Sequence, residues 1–186
     1  MKTVIKNIAN IQTGIFAKPS GQGDVVYLQA RHFDENGQLL ATLHPDLMAE
    51  DISQKHLLQP GDVLFAAKGT KNFAAVYDNE GLPAVASTSF FLMRIKDEDI
   101  LPDYLAWFLN SPATQTLLKG QAIGTSMVSI SKSVLENLEI PRPNLQTQRA
   151  ILRITALRNQ EKALKLEIET LREILIQQQI TKAINT

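Results

Sequence analysis

Hydrophobic positions along this chain follow two different rhythms. From Gln146 to Ile184 there is no Gly or Pro. Ile154, Leu157, Glu161, Leu164, Ile168, Leu171, Leu175 and Gln178 recur there in alternating steps of three and four. Six of these eight positions are aliphatic. The spacing predicts one amphipathic helix with a heptad seam, roughly 55–60 Å long at 1.5 Å per residue. That exceeds the diameter of a small domain, so the seam must be covered by something other than the chain's own globule.

Upstream the rhythm is that of short strands. Val63-Leu64-Phe65-Ala66-Ala67 follows a Pro60-Gly61-Asp62 turn, and Phe73-Ala74-Ala75-Val76-Tyr77 follows the polar stretch 68–72. Pro83 to Ala86 is a further short strand, and Phe90-Phe91-Leu92-Met93-Arg94 the last clear one. The turn signals between them predict consecutive antiparallel strands in a curved sheet or partial barrel. Residues 1–60 hold weaker runs, with one strand at Val25-Val26-Tyr27-Leu28, a turn at Asn36-Gly37 and a break at His44-Pro45-Asp46.

Helices take over at Pro102, an ordinary first helical position, followed by Tyr104, Leu105, Trp107, Phe108 and Leu109. Ser111-Pro112 opens a second helix that Gly120 ends, and Ser131 caps a short third one with Leu135 and Leu138 facing inward. Glu139-Ile140-Pro141-Arg142-Pro143 must be extended, because proline pushes the preceding residue out of the helical region. The fold expected is α+β: a mixed domain over 1–143, then one long coiled-coil helix over 144–186.

Composition narrows the function. The 186 residues carry 19 Lys/Arg and 19 Asp/Glu, so no global basic field attracts nucleic acid. Residues 146–186 hold seven Lys/Arg against four Glu, and the preceding part twelve against fifteen. With no cysteine, disulfides, thiolate metal sites and thiol catalysis are excluded. Neither a signal-peptide core nor a run of 18 apolar residues occurs, so a cytoplasmic protein with no membrane partner is expected.

Five blocks, in order, resemble the specificity subunits of type I restriction–modification systems. They are Gly61-Asp62-Val63-Leu64-Phe65-Ala66-Ala67-Lys68-Gly69, Ala84-Val85-Ala86-Ser87-Thr88-Ser89-Phe90-Phe91, and Pro102-Asp103-Tyr104-Leu105-Ala106-Trp107-Phe108-Leu109-Asn110-Ser111. Gly124-Thr125 with Ile130-Ser131-Lys132, and Leu138-Glu139-Ile140-Pro141-Arg142-Pro143, complete the set. Leu145-Gln146-Thr147-Gln148 stands where the family has a Leu-x-Glu-Gln start to its long helix. The resemblance implies a target recognition domain that reads half of a split DNA sequence, and a helix that spaces two such domains by antiparallel pairing. It also implies a subunit without chemistry of its own, which positions methyltransferase subunits and through them restriction subunits. Members usually carry two domains and two long helices. One of each is present here, so a half-size subunit that restores the usual shape by homodimerising is expected. The dimerisation residues would be Ile154, Leu157, Leu164, Ile168, Leu171 and Leu175. A two-fold dimer would read an inverted repeat with a fixed gap on double-stranded DNA.

On this reading the DNA-contact candidates are polar residues beside strands. Lys68, Gly69, Thr70, Lys71 and Asn72 form a loop in which Lys can reach phosphate or guanine and Asn can bond adenine. Lys18 precedes a Gly21-Gln22-Gly23 segment; Gln29, Arg31 and His32 follow a strand; Thr125, Ser126 and Lys132 flank the short helix. Ser87-Thr88-Ser89 is better assigned to turn hydrogen bonding, Tyr104, Trp107 and Phe108 to core packing, and Asp97-Glu98-Asp99 to an acidic surface turn rather than a metal site. There is no phosphate-binding loop, amino-methyltransferase motif or histidine triad. No catalytic residue, metal or cofactor is therefore expected. The alternative is a protein–protein scaffold or decoy that occupies methyltransferase subunits without reading sequence.

Overall fold

Four strands carry the main sheet, and their burial explains their order. In the computed structural model, which describes residues 1–21, 23–34, 37–39, 43–69, 72–78, 81–121 and 128–185, the chain opens with β1 (Lys2–Val4), α1 (Ile5–Ile8) and β2 (Ala9–Thr13). β3 (Val26–Leu28), β4 (Val63–Ala66), β5 (Lys68–Gly69), β6 (Ala74–Val76), β7 (Ala84–Ala86) and β8 (Phe90–Ile95) follow. Then come α2 (Pro102–Asn110), α3 (Pro112–Gly120), β9 (Val128–Ser129), α4 (Lys132–Glu136), β10 (Glu139–Pro141) and α5 (Leu145–Ile184). The main sheet runs β2-β8-β4-β6, every pair antiparallel. All four residues of β4 are buried, as a strand with partners on both edges and layers on both faces requires.

The simple succession of antiparallel strands expected from the sequence is broken in two places. β7 leaves the main sheet and pairs in parallel with β3, in the register Val26↔Ala84, Tyr27↔Val85 and Leu28↔Ala86. Lys68 and Gly69, expected in a loop, form a two-residue strand on β9. β3 and β7 separate two apolar clusters. Val26, Leu28, Ala84 and Ala86 face Leu64, Phe73 and Phe90 on one side. Val25, Tyr27 and Val85 face Leu47, with Ile15 and Ile52 against them, on the other. Side chains of successive strand residues point to opposite faces, so each three-residue strand serves both clusters.

Local chemistry fixes the turns. Asp62 N–H donates to Gln59 O at 2.9 Å across Pro60 and Gly61, and Gly61 has φ +90°. This is a type II turn, with Pro at the second position and Gly where a left-handed residue is needed. The Asp62 carboxylate is buried. It accepts from Arg94 Nε at 2.8 Å, from Arg94 Nη2 at 2.7 Å and from Gln59 N–H at 2.7 Å, tying the turn to β8. Asn110, the last residue of α2, donates from Nδ2 to Ala74 O at 2.8 Å and accepts Ala74 N–H at 2.7 Å, so an amide side chain stands in for a strand neighbour at β6. Ser111 and Ser131 cap α3 and α4, accepting from Thr114 and Val134 N–H.

The chain divides into two compact units, Met1–Leu145 and Gln146–Thr186. α5 is 40 residues long, about 60 Å at 1.5 Å per residue.

Candidate nucleic-acid interface

Strand direction gathers several loops at one end of the first unit. The chain leaves β2 at Thr13 opposite Phe91, leaves β4 at Ala66 opposite Phe90, and enters β6 at Ala74 opposite Phe65. β3 and β7 end side by side at Leu28 and Ala86. Residues 14–17, 29–32, 67–69, 72–73 and 87–89 therefore share this end. Backbone bonds knit them together: Gly14 N–H to Phe90 O, Ile15 N–H to Ala86 O, Ser87 N–H to Leu28 O, and Ala67 N–H to Ser89 O, all between 2.8 and 3.1 Å. Ile130 N–H donates to Ala67 O, bringing the strand after residues 122–127 to the same place.

Of the residues singled out in the sequence, Gln29, Arg31, His32, Lys68, Gly69 and Asn72 lie at this end. Lys68 and Arg31 are exposed, and Gln29, His32 and Asn72 half-buried. Asn72 commits one amide hydrogen to Ala66 O at 2.8 Å, so it closes its own loop. Lys18 sits on the segment that runs from the Ile15–Ser87 bridge to Ser20, whose N–H donates to Asp46 O. Lys132 lies in the first turn of α4, with its ammonium 3.5 Å from Glu136. Thr70, Lys71, Thr125 and Ser126 lie outside the described residues.

Gln29, Arg31 and His32 belong to a 3-10 turn over Ala30–His32 rather than to the end of a strand. Gln29 N–H donates to His32 Nδ1 at 3.2 Å, while Arg31 Nε stands 3.4 Å from His32 Nε2. A neutral imidazole has one acceptor nitrogen. The Gln29 and Arg31 N–H groups therefore compete for it, the Gln29 contact being the shorter. Burial of the ring, and secondly the Arg31 guanidinium, pull the His32 pKa below 6.5, with Asp46 opposing. His32 at neutral pH is an uncharged ring.

Tyr104 and the acidic turn have structural partners, whereas the Ser87 hydroxyl, expected to bond within its turn, is buried without a hydrogen-bond partner among the described residues. Tyr104 is buried, stacks on Trp107 at 5.5 Å and donates its hydroxyl to Pro141 O. Asp97 and Asp99 hold Arg142 Nη2 at 2.8 and 2.9 Å. Among the described residues no group of three or more His, Cys, Asp or Glu is placed to hold a metal ion. No helix among them is long and apolar enough to cross a membrane.

Phe16 was not among the sequence candidates. It is 77% exposed and lies at the same end, just past the Ile15–Ser87 bridge. The signal was present in Ile15-Phe16-Ala17, an apolar run in a stretch otherwise read only as weak and turn-broken.

In the second unit, Ile154, Leu157, Leu164, Ile168, Leu171 and Leu175 are between 48% and 64% exposed. Leu166, Ile174, Ile176 and Ile180 are exposed off that seam. Intrahelical pairs such as Lys165–Glu161 at 2.6 Å and Arg172–Glu169 at 2.9 Å occupy the polar positions.

The arrangement has close counterparts among solved structures. One, from work on complex assembly and conformational transition of the type I R-M system, aligns with a TM-score of 0.64 at 18% identity, over 89% of this chain and 40% of that one. The type I restriction–modification S subunit from M. genitalium aligns at 0.61 and 16%, over 86% and 39%. The HsdS subunit from Thermoanaerobacter tengcongensis aligns at 0.61 and 18%, over 89% and 38%. This chain thus spans about two fifths of the length of each. Comparison with curated proteins finds no match. The family model described as type I restriction modification DNA specificity domain matches residues 5–175. That match takes in both the strand-and-helix unit and most of α5, and the chain belongs to this family.

Proposed function

We propose that this chain is a non-catalytic DNA-reading subunit of a type I restriction–modification complex. It recognises one half of a split site and pairs with a second copy through α5. The observation that carries the proposal is the unburied heptad seam of α5: six aliphatic residues about half exposed on a helix of 40 residues. A helix of this kind is stabilised by packing its apolar stripe rather than by propensity, and a two-fold pair is the simplest partner. Antiparallel pairing would set two recognition units apart along an inverted repeat. One chain spans about two fifths of the length of the solved subunits. The off-seam residues Leu166, Ile174, Ile176 and Ile180 would meet methyltransferase subunits, and restriction subunits would be reached through those.

In the recognition unit, Lys68 and Arg31 are exposed cations suited to phosphate or guanine, and Gln29 and the neutral His32 ring are suited to base edges. Lys18 and Lys132, and Thr70, Lys71, Thr125 and Ser126, complete the proposed contact set. The formal charge is zero, so few phosphates are neutralised and affinity for DNA by the chain alone is modest. Tight binding requires the methyltransferase subunits around the duplex.

A genome-wide map of methylated bases tests the reading. With the wild-type chain, methylation falls on a symmetric split site with a constant gap. Deleting the chain abolishes that pattern, and Lys68→Ala weakens or alters it. Methylation indifferent to Lys68, Arg31 and Gln29 substitutions, but lost with seam substitutions, would favour a scaffold that reads no sequence.

A further inference from the structure

We infer that Phe16 is an apolar wedge that engages a single DNA base step, with Lys18 on the adjacent phosphate. This rests on the proposed DNA-reading function and adds to it a contact residue of a different chemistry.

An exposed apolar residue means little by itself. Three features set Phe16 apart. The chain has seven Phe, three Tyr and one Trp, and of these only Phe16 is exposed; the others are buried or half-buried. The backbone on both sides of it is pinned. Tyr27, itself buried, donates its hydroxyl to Ile15 O at 3.0 Å and accepts Ala17 N–H at 3.3 Å, so one phenol clamps the residues before and after Phe16. Ile15 N–H is further held by Ala86 O at 2.8 Å. Gly14 approaches Ser87 so closely that a Cβ there would lie 2.1 Å from its carbonyl oxygen, and Gly14 N–H donates to Phe90 O. Finally, burial alternates along the segment. Ile15 and Ala17 pack against the cluster around Tyr27, whereas Phe16 and Lys18 face solvent. The inward positions already bury their apolar groups, so nothing in the packing asks for an aromatic ring at position 16.

A ring held outward on a pinned backbone loses little conformational freedom on binding. Extended backbone puts alternate side chains roughly 6.5–7 Å apart. A ring and an ammonium at that separation suit a base step and a nearby phosphate. Phe is one of the residues that wedge between base steps and partly unstack them. The ring stands at the end that carries Gln29, His32 and Lys68, so the wedge would fall inside the recognised half-site rather than in flanking DNA.

The test uses the full chain assembled with its methyltransferase subunits, and duplexes of the mapped site with 2-aminopurine placed at each position in turn. The wild type is expected to raise fluorescence at one step of each half-site. Phe16→Ala should remove that signal and weaken site binding about 10-fold or more, with thermal stability unchanged because the ring is exposed. Phe16→Trp should retain the signal. Lys18→Ala should keep it while lowering the salt dependence of log K by about one unit. Unchanged affinity and fluorescence in Phe16→Ala, with Lys68→Ala still impaired, would overturn the wedge and leave the DNA-reading function standing. Loss of methyltransferase subunits from Phe16→Ala on gel filtration would make the ring a protein contact and also overturn it. If the wild-type assembly shows no sequence-dependent binding, and Lys68→Ala is equally without effect, both readings fall together.

Discussion

His32 shows how one side chain can be set by two near neighbours, Gln29 three residues before it and Arg31 beside it. Its Nδ1 accepts Gln29 N–H, and its pKa is lowered by burial and by Arg31. Unfolding releases the ring to an ordinary value near 6.5. Between the folded and unfolded pKa values the unfolded chain therefore binds more protons. The stability from the neutral ring is complete above about pH 6.5 and is lost as pH falls through that value toward the lower folded pKa. Protonation also makes Nδ1 a donor and removes the bond from Gln29. An NMR titration is expected to give His32 a midpoint below 6.5. Acidification from pH 7.5 to 5.5 should destabilise the wild type more than His32→Gln. A midpoint above 6.5 would show that Asp46 outweighs burial and Arg31. None of this was legible in the sequence, where His32 was a polar residue after a strand. The 3-10 turn that folds it back on Gln29 depends on tertiary burial that no local pattern encodes.

At the level of elements, turn chemistry was readable and pairing was not. Pro60-Gly61, Pro102, Ser111 and Ser131 announced a turn, a helix start and two caps, because each acts through its own or near-neighbour backbone. Strand order depends on contacts distant in sequence. β7 reads like any short strand, yet it pairs with β3 instead of continuing the main sheet. The opening elements β1, α1 and β2 were not singled out, since their apolar residues are too few and too mixed with polar ones to show a period. The Gly61-Asp62 block had a visible pattern without a visible reason. The reason is the ion pair by which Asp62, 2% exposed, holds Arg94 and Gln59 N–H. Removing the carboxylate leaves a half-buried guanidinium and an orphaned amide. Asp62→Ala is expected to destabilise the first unit by about 3 kcal/mol in a urea titration, and Asp62→Asn by less, because its amide oxygen still accepts one bond. A cost under about 0.5 kcal/mol for Asp62→Ala would place this pair among ordinary surface ion pairs.

For the whole molecule, the decisive quantity is the apolar area that α5 leaves in water. Each seam residue is about half exposed, so burying it fully in a pair contributes about half of the 1.5–3 kcal/mol of a fully exposed side chain. Twelve such residues in a pair give on the order of 9–18 kcal/mol, enough to offset the about 4–15 kcal/mol lost on association when the seam is well buried. Glu161 and Gln178 interrupt the stripe, and polar groups at such positions restrict register at some cost in stability. Leu164 and Leu171 lie one heptad apart on the seam, whereas Leu166 lies off it and is 71% exposed. Leu164→Glu combined with Leu171→Glu places four carboxylates in the interface of a two-fold pair. Desolvating each without a cation to meet it costs more than the remaining aliphatic contacts return. Light scattering should give a dimer mass for the wild type and for Leu166→Glu, and a monomer mass for the double variant. The monomer should also lose helical signal in circular dichroism, since a long helix without a partner frays from its ends. A dimer that survives the double substitution would move the interface off the heptad seam. The split inverted-repeat site would then need another source for its fixed gap.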